Sequence, residues 1–297
     1  MNNKIIVSLI IGVILANISL SSSAQVNPHG AIYFQNQYLA NPAMAGFTKG
    51  LNLNLGYKNE WNASEGTPIN QFFSLETSIT KNLGFGVSLL KDEAGFFMRN
   101  KLTASLAYHL PFSDPTEHLS FGISGIGFNN RISNKDIIAN QNDPIIVDFQ
   151  NQEAKFDADF GLTYSKKKFT FQGAVYQLNN LIKNEGNIPN EYGLFYVALD
   201  YKWGNKNLNI NPKLALRGIR GYQDVFDFGA EAAILNNKVK LTGLYHTDQS
   251  TTAGISYLFY DKFQVMTMYH TASNKYSYNT GNIFELALNL KLFGAKE

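Results

Sequence analysis

The chain has no cysteine among its 297 residues. This absence excludes disulfide bonds, thiolate metal sites, a cysteine nucleophile and lipid attachment at an N-terminal cysteine. Charge is also scarce: 16% of the residues are charged and the formal net charge is +2, so there is no electrostatic case for nucleic-acid binding. Beyond the signal-like start described next, no stretch approaches the ~20 apolar residues of a membrane helix. If the rest of the chain crosses a membrane, it must do so with strands.

Residues 1–24 have the layout of a secretory signal peptide. Lys4 supplies the positive charge, residues 5–16 form an apolar core, and Ser22 and Ala24 stand at the small-residue cleavage positions. A transmembrane anchor is the less favoured interpretation, because the core is short and no positively charged stop-transfer cluster follows it. We expect cleavage after Ala24 and export of the remaining chain.

Apolar side chains alternate with polar or small ones in the first and last strand-like stretches. In residues 51–58 the odd positions are apolar, and in residues 284–292 the even positions are apolar. A period of two is typical of a strand with one apolar and one polar face. A closed sheet has no unpaired edge, and it is the only β-architecture that can span lipid. Two such strands, one at each end of the fold, suggest a sheet that closes on itself.

About fourteen such segments can be traced, an even number, as bacterial barrels have. Their connections alternate in length, with short ones such as 80–82 and 260–262 and long ones such as 131–155 and 270–282. Outer-membrane barrels have short periplasmic turns and longer extracellular loops. The order of lengths therefore favours an all-β, closed antiparallel transmembrane barrel over a soluble β-sandwich, which alternation alone would also allow.

Composition supports the barrel prediction, whereas three local features fit it less well. The composition of 22 Phe, 16 Tyr and 24 Gly is typical of strands and tight turns, and aromatic residues gather near strand ends, as in membrane-interface girdles. Three features fit less well: residues 111–118 are long for a periplasmic turn, residues 247–250 are short for an outer loop, and Pro212 forfeits a hydrogen bond within a strand.

The sequence YLANPAMAGF, residues 38–47, resembles the N-terminal signature of the PorP/SprF family. These are outer-membrane proteins of the type IX secretion system and gliding machinery of Bacteroidota. The similarity continues through GYKNEW, KDEAG, LSFGISGIG, DFGLTY and the final FELALNL, and so spans nearly the whole exported chain. Only the NPAxAG element at residues 41–46 is specific, and Met44 stands where an aromatic residue is commoner.

The resemblance implies a non-enzymatic outer-membrane barrel that works with other secretion components. Some members assist the export or surface anchoring of one cognate large adhesin. Others tie a periplasmic ring lipoprotein to the outer membrane and, through a peptidoglycan-binding lipoprotein, to the cell wall. The resemblance implies no cofactor. The family motif, where a partner could dock, consists of Asn41, Pro42, Ala43, Ala45 and Gly46.

Residues 41–46 have the composition of a turn, because Asn41 before proline is pushed out of the helical region, Pro42 fixes φ and Gly46 permits a positive φ. We expect residues 25–50 to form a periplasmic lead-in and residues 51–297 to form the barrel. The lead-in is interpreted either as a structural plug or cap on the first strand, or as a surface that binds a partner.

The sequence contains no strong signal for catalysis or metal binding. The histidines lack zinc spacing and are expected at ordinary polar positions; they are His29, His109, His118, His246 and His270. The acidic residues of the longest loop lack the rhythm of a calcium loop and are expected to be solvated; they are Asp136, Asp143, Asp148, Glu153 and Asp157. No GxSxG or P-loop motif is present.

Two classes of function stay open at this point. One is an assembly or anchoring factor that binds proteins, and the other is a passive or ligand-specific outer-membrane pore. A barrel of about fourteen strands is wide enough for a lumen. Inward positions such as Gly84, Gly86 and Gly122 are small, which leaves room either for a channel or for an inserted segment.

Overall fold

The computed structural model describes residues 31–61, 67–132, 154–183, 193–205, 207–219, 224–272 and 281–293. The predicted signal peptide and the acidic residues 136–153 of the longest loop lie outside this part of the chain. The described strands are β1 (Leu51–Trp61), β2 (Ile69–Ser78), β3 (Leu83–Ala94), β4 (Phe97–Pro111), β5 (Glu117–Ile132), β6 (Lys155–Lys166), β7 (Phe169–Val175), β8 (Gly193–Tyr201), β9 (Trp203–Gly204), β10 (Leu208–Ile219), β11 (Val225–Ile234), β12 (Val239–His246), β13 (Thr251–Phe259), β14 (Phe263–His270) and β15 (Asn282–Leu292).

The strands form one closed antiparallel barrel. Each strand pairs with its neighbours in the sequence, and β1 closes the sheet against β15 from Leu51↔Leu292 to Trp61↔Asn282. The two-residue β9 continues β8, and both pair with β10. The fifteen strands of the described chain therefore occupy fourteen strand positions in the barrel. The predicted fourteen-strand barrel, closed through its first and last strands, is confirmed.

Pro212 accounts for the separation of β8 from β9. Lys213 pairs with Asp200 of β8 and Ile210 pairs with Trp203 of β9, whereas Pro212 pairs with neither strand. Because proline has no N–H group, the ladder on this side is interrupted opposite it. On the other side Pro212 keeps its place in the register with β11, so the barrel stays closed.

Helical structure in the described chain is limited to short segments. One α-helix, α1 (Leu178–Lys183), follows β7, and three 3-10 helices precede β1 at Ile32–Phe34, Gln37–Leu39 and Pro42–Met44. Among the described residues no helix is long and apolar enough to span a membrane, a finding that does not bear on strands.

The two faces of each strand differ as the sequence predicts. On β4, Leu102 and Leu106 are 50% and 49% exposed on the outer face, whereas Thr103 and Ser105 point inward and are 8% and 1% exposed. The barrel thus turns apolar side chains outward and buries polar ones, the reverse of a water-soluble domain. This inversion is expected of a protein whose outer solvent is hydrocarbon.

The two ends of the barrel differ in the length of their connections. At the end where β1 begins and β15 finishes, all six connections are short, with 112–116 among the longest. The opposite end carries the long connections 62–68, 133–154, 176–192 and 271–281. By the rule for bacterial barrels the first end is periplasmic and the second extracellular. Three extracellular connections are nevertheless short: 220–224, 247–250, as noted from the sequence, and 95–96, which joins the unusually long β3 and β4.

Candidate functional site

Residues 31–47, which we call the plug, lie inside the barrel. The backbone N–H of Ala31 contacts both carboxylate oxygens of Glu285 at 3.2 and 3.3 Å, in the extracellular half of β15. From there the plug crosses the lumen in three short helical turns and reaches the periplasmic end, where β1 begins at Leu51. Most plug side chains are buried, including Tyr33, Tyr38 and Asn41 at 1%, 5% and 0% exposure.

Asn41 fixes the backbone of the third 3-10 helix and ties it to the barrel wall. Its side-chain oxygen accepts a hydrogen bond from the N–H of Ala43 at 2.9 Å, the geometry of an N-terminal cap, with Pro42 at the first helical position. Its amide nitrogen donates to the carbonyl of Leu162 at 3.1 Å and to Thr163 Oγ1 at 3.0 Å on β6. The buried Asn41 side chain therefore forms hydrogen bonds both within the turn and with the barrel wall.

The plug meets the wall of β3, β5 and β6 at four inward glycines, which we call the glycine seat. They are Gly84, Gly86, Gly122 and Gly161. A β-carbon at Gly122 would overlap with the backbone of Pro42 and Ala43, and one at Gly84 would overlap with the carbonyl of Ala45. The obstructing atoms there are backbone, which cannot swing aside, so only glycine permits this close approach.

The motif leaves the glycine seat through Gly46. This residue has a φ of +62°, and its own β-carbon would overlap with the carbonyl of Thr77 on β2. Its N–H donates to Glu76 Oε2 at 3.1 Å. Close by, His109 Nε2 lies 3.1 Å from the carbonyl of Ala45. Because a carbonyl only accepts, Nε2 is the protonated nitrogen, and Nδ1 is left to accept from Ser120 at 2.9 Å in the neutral ring.

The opposite side of the plug is held by ionised groups centred on Asp227 of β11. Tyr33 donates its hydroxyl to Asp227 Oδ2 at 2.5 Å. Arg217 of β10 forms a two-pronged contact with the same carboxylate, at 2.6 Å from Nε and 2.9 Å from the terminal nitrogen. The guanidinium also lies 5.2 Å from the centre of the Tyr33 ring. Such bidentate pairs are among the strongest in proteins, because both partners are charged and their planes match.

This contact continues from strand to strand around the inner wall. His246 of β12 lies 2.5 Å from Asp227, and its other nitrogen lies 2.7 Å from Thr252 of β13. Thr252 contacts His270 of β14 at 2.6 Å, and His270 lies 2.9 Å from Glu285. We call this set the Asp227 network: Arg217, Asp227, His246, Thr252, His270 and Glu285. It begins under Tyr33 and ends at the backbone of Ala31, so it contacts the plug at two points.

Apolar contacts complete the seating of the plug. Ile32 and Phe34 pack with Met266, Met268 and neighbouring apolar side chains of β12 and β15. Burial raises the pKa of Tyr33 and of Tyr38 well above the ordinary tyrosine value, so both hydroxyls keep their protons and remain hydrogen-bond donors.

A family model described as "Type IX secretion system membrane protein PorP/SprF" matches residues 22–290. This chain belongs to the PorP/SprF family. The resemblance noted from residues 38–47 is therefore confirmed, and so is the outer-membrane location. A type IX secretion component associates with other proteins of that system. No curated protein matches the sequence.

Solved structures show the same barrel architecture at low sequence identity. The Ralstonia pickettii toluene transporter TbuX matches with a TM-score of 0.51 and 12% identity, over 91% of this chain and 96% of that one. The Acinetobacter baumannii outer membrane protein Omp33 matches with a TM-score of 0.49 and 7% identity, over 83% of this chain and 100% of that one. At these identities the likeness to TbuX indicates the fold alone.

All five residues of the PorP/SprF motif lie together in the third turn of the plug. Asn41, Ala43 and Ala45 are 0% exposed, so the motif faces the lumen wall in this conformation. Partner binding by these residues stays a prediction, and it would require the plug to leave the lumen.

Sequence reasoning missed the Asp227 network. His246 and His270 were expected at ordinary polar positions, whereas the structure brings them together through Thr252. The sequence did offer one indication, because both histidines stand at inward positions of strands whose apolar and polar side chains alternate. The described chain contains no group of three side chains arranged to hold a metal ion. Asp157, the one acidic loop residue of the predicted set that is described, accepts hydrogen bonds from the N–H groups of Ala158 and Asn179.

Proposed function

We propose that this PorP/SprF barrel is a non-enzymatic component of the type IX secretion system that assists the export or surface anchoring of a cognate large adhesin. Membership of the family supports the proposal. The observation that carries it is the plug, which occupies the lumen and buries Tyr33, Tyr38 and the motif among wall residues. A barrel with a tightly seated plug is better suited to binding proteins than to continuous conduction.

A second role compatible with the family is tethering of the periplasmic machinery to the outer membrane. The partners would be a periplasmic ring lipoprotein and a peptidoglycan-binding lipoprotein. If the motif docks one of them, the plug must first be released from the glycine seat and the Asp227 network. Otherwise the partner binds the rims of the barrel, and the motif acts only in seating the plug.

The alternative function is an outer-membrane pore or ligand-specific channel. Its support is the fold likeness to TbuX, which is itself a toluene transporter. At 12% identity this likeness extends to architecture and not to substrate. For a channel, the plug would need to move or to leave a path along the wall.

Deletion of the gene, followed by a census of surface and secreted proteins, tests the proposal. Loss of one large surface protein supports the cognate-export role, whereas loss of all type IX cargo supports a tethering or core role. An unchanged surface proteome would contradict both. Complementation with the intact chain is the control, because it separates loss of this protein from effects on neighbouring genes.

Recording from the purified protein in a planar bilayer tests the alternative. The plugged barrel is expected to give no sustained ion flux. A steady conductance from the unmodified chain would favour the pore and weaken the assembly role.

A further inference from the structure

The periplasmic end of the barrel carries a ring of lysines, which we call the lysine rim. All of its side chains are exposed: Lys49, Lys81, Lys166, Lys167, Lys168, Lys202, Lys238 and Lys262. They lie in, or directly beside, four of the six connections at this end, at the break between β8 and β9, and in the residues that lead into β1. The rim therefore follows the perimeter of the barrel and is not confined to one side.

Carboxylates are few on the same stretches of the described chain. They are Asp114, Glu117 and Asp261, and Glu117 is already paired with Lys166 at 2.9 Å. Eight lysines against three carboxylates leave an excess of five positive charges, in a chain whose formal net charge is only +2. Positive charge is thus concentrated at the periplasmic end.

The extracellular half differs, because many of its charged residues are paired with each other. Arg217 contacts Asp227, Lys101 lies 3.7 Å from Asp159, and Lys91 pairs with Glu93 on the outer face. Only at the periplasmic end does one sign of charge prevail on exposed side chains of the described chain.

Large apolar side chains stand beside the lysines on the same turns. Trp203 next to Lys202 is 61% exposed, and Tyr260 two residues before Lys262 is 92% exposed. Aromatic side chains of this kind sit at the membrane–water interface of barrels. The neighbouring ammonium groups then lie at the level of the lipid headgroups, since a lysine places its stem along apolar surface and its charge in the polar layer.

The turns beside Lys238 and Lys262 have a defined backbone conformation. Asn236 and Asn237 have φ values of 57° and 63°, and Tyr260 and Asp261 have values of 51° and 55°. Two successive residues with positive φ are characteristic of tight type I′ hairpin turns. The backbone that carries Lys238 and Lys262 is therefore ordered before any ligand binds.

We propose that the lysine rim binds the anionic headgroups of phospholipids in the periplasmic leaflet of the outer membrane. The distribution decides between lipid and protein: a docked acidic protein would match one arc, whereas lipids surround the barrel. The aromatic neighbours add a second argument, because they place the lysines at the depth of a phosphate group. Clustered lysines at a membrane surface attract anionic lipid, and the attraction falls with salt.

Trp203 offers a local probe of this binding. The chain contains two tryptophans, Trp61 and Trp203, so a Trp61→Phe background leaves one reporter beside Lys202. The purified exported chain is reconstituted in phosphatidylcholine vesicles that contain either brominated phosphatidylglycerol or brominated phosphatidylcholine, whose bromine atoms quench tryptophan fluorescence on contact. We expect phosphatidylglycerol to quench Trp203 with a relative association several-fold above that of phosphatidylcholine, and 1 M salt to remove most of the difference.

Substitution of the nearest lysines tests the role of the rim. The backbone N–H of Lys202 donates to the carbonyl of Lys168, so these two lysines are neighbours beside Trp203. In a double variant, Lys168→Gln with Lys202→Gln, the association of phosphatidylglycerol relative to phosphatidylcholine should fall close to one. Lys91→Gln, at the extracellular end, is the matched control and should leave the ratio unchanged. The salt titration on the chain with both lysines intact keeps the test valid if the double variant misfolds.

Three outcomes would overturn the proposal. Equal quenching by the two lipids would mean that the rim does not select anionic headgroups. If the preference for phosphatidylglycerol survived the double substitution, the lipid-binding site would lie elsewhere on the barrel. Glycerol phosphate that abolishes the preference at the same phosphate concentration would assign the rim to free phosphate and not to a lipid surface.

Discussion

The plug is held by different means on its two sides. Towards β3, β5 and β6 it lies against the glycine seat, where Gly84 and Gly122 meet plug backbone and the buried Asn41 ties the turn to the wall. Towards β10–β15 it is held by long side chains and ionised groups, with Tyr33 on Asp227 and Ala31 on Glu285. One side depends on shape and the other on charge.

This difference indicates what each side can tolerate. Backbone atoms cannot change rotamer to relieve a clash, so a larger residue at Gly84 or Gly122 would prevent the plug from seating. A charged network keeps its geometry by mutual pairing, and the loss of one member leaves the others buried and unpaired. The seat should therefore specify where the plug lies, and the Asp227 network should determine how firmly its N-terminal half is held.

The largest effect is expected from Gly122→Val, which places a branched side chain against the backbone of Pro42 and Ala43. Because the backbones of β5 and of the plug cannot rotate aside locally, we expect the plug as a whole to leave the seat, at a cost of about 5 kcal/mol or more. Urea titration of the barrel in lipid vesicles would measure the loss, and a planar-bilayer recording should show a conductance that the unmodified chain lacks.

The same strand supplies the matched control. Gly125 of β5 has nothing within 4 Å of the position of a β-carbon, so Gly125→Val should leave both stability and conductance nearly unchanged. A Gly122→Val barrel that stays closed and as stable as the control would show that the seat adapts, and the contrast between the two sides would fail.

The second largest effect is expected on the charged side. Asp227→Asn removes the negative charge beside the guanidinium of Arg217 and replaces one of the two oxygens that accept from Tyr33, Arg217 and His246 with an amide nitrogen, which should cost about 3 kcal/mol. The exposed pair Lys91–Glu93 is the control, because Lys91→Gln should change stability by less than about 1 kcal/mol. Equal losses from both variants would indicate that the lumen is wet enough to screen the Asp227 network.

The alternation of side chains made the barrel predictable, since a strand's inward residues can be counted from its own sequence. Gly84 and Gly122 were recognised in this way as small inward positions with room for an inserted segment. The contacts of the plug could not be predicted, because they join residues far apart: Tyr33 and Asp227 are 194 positions apart. Which strand faces which plug residue depends on the tilt and closure of the whole sheet, and no local pattern encodes that.

A smaller effect is expected from Asn41→Ala, which returns the comparison to the seat side. The substitution removes the cap on Ala43 and the bonds to Leu162 and Thr163, while the backbone contacts at Gly84 and Gly122 remain. We expect a loss of about 2 kcal/mol, the sum of a helix cap and a buried hydrogen bond. Urea titration measures this loss of stability. The barrel should remain closed to ions because the shape of the seat is intact. A stability loss accompanied by an open pore would mean that Asn41, and not the glycines, determines where the plug lies.

The smallest and sharpest comparison applies one chemical change to both sides. Tyr33→Phe and Tyr38→Phe each remove a single hydroxyl, the first from the carboxylate of Asp227 and the second from the hydroxyl of Ser105 at 3.0 Å. Hydrogen bonds to charged groups contribute about 1.5–3 kcal/mol and neutral ones about 0.5–1.5 kcal/mol, so Tyr33→Phe should cost more. Both rings stay in place and packing is conserved, so the difference between the two urea midpoints isolates the charge on Asp227. If Tyr38→Phe proved the more costly of the two, the N-terminal half of the plug would not depend on the ionised carboxylate, and its attachment would instead come from the apolar packing of Ile32 and Phe34.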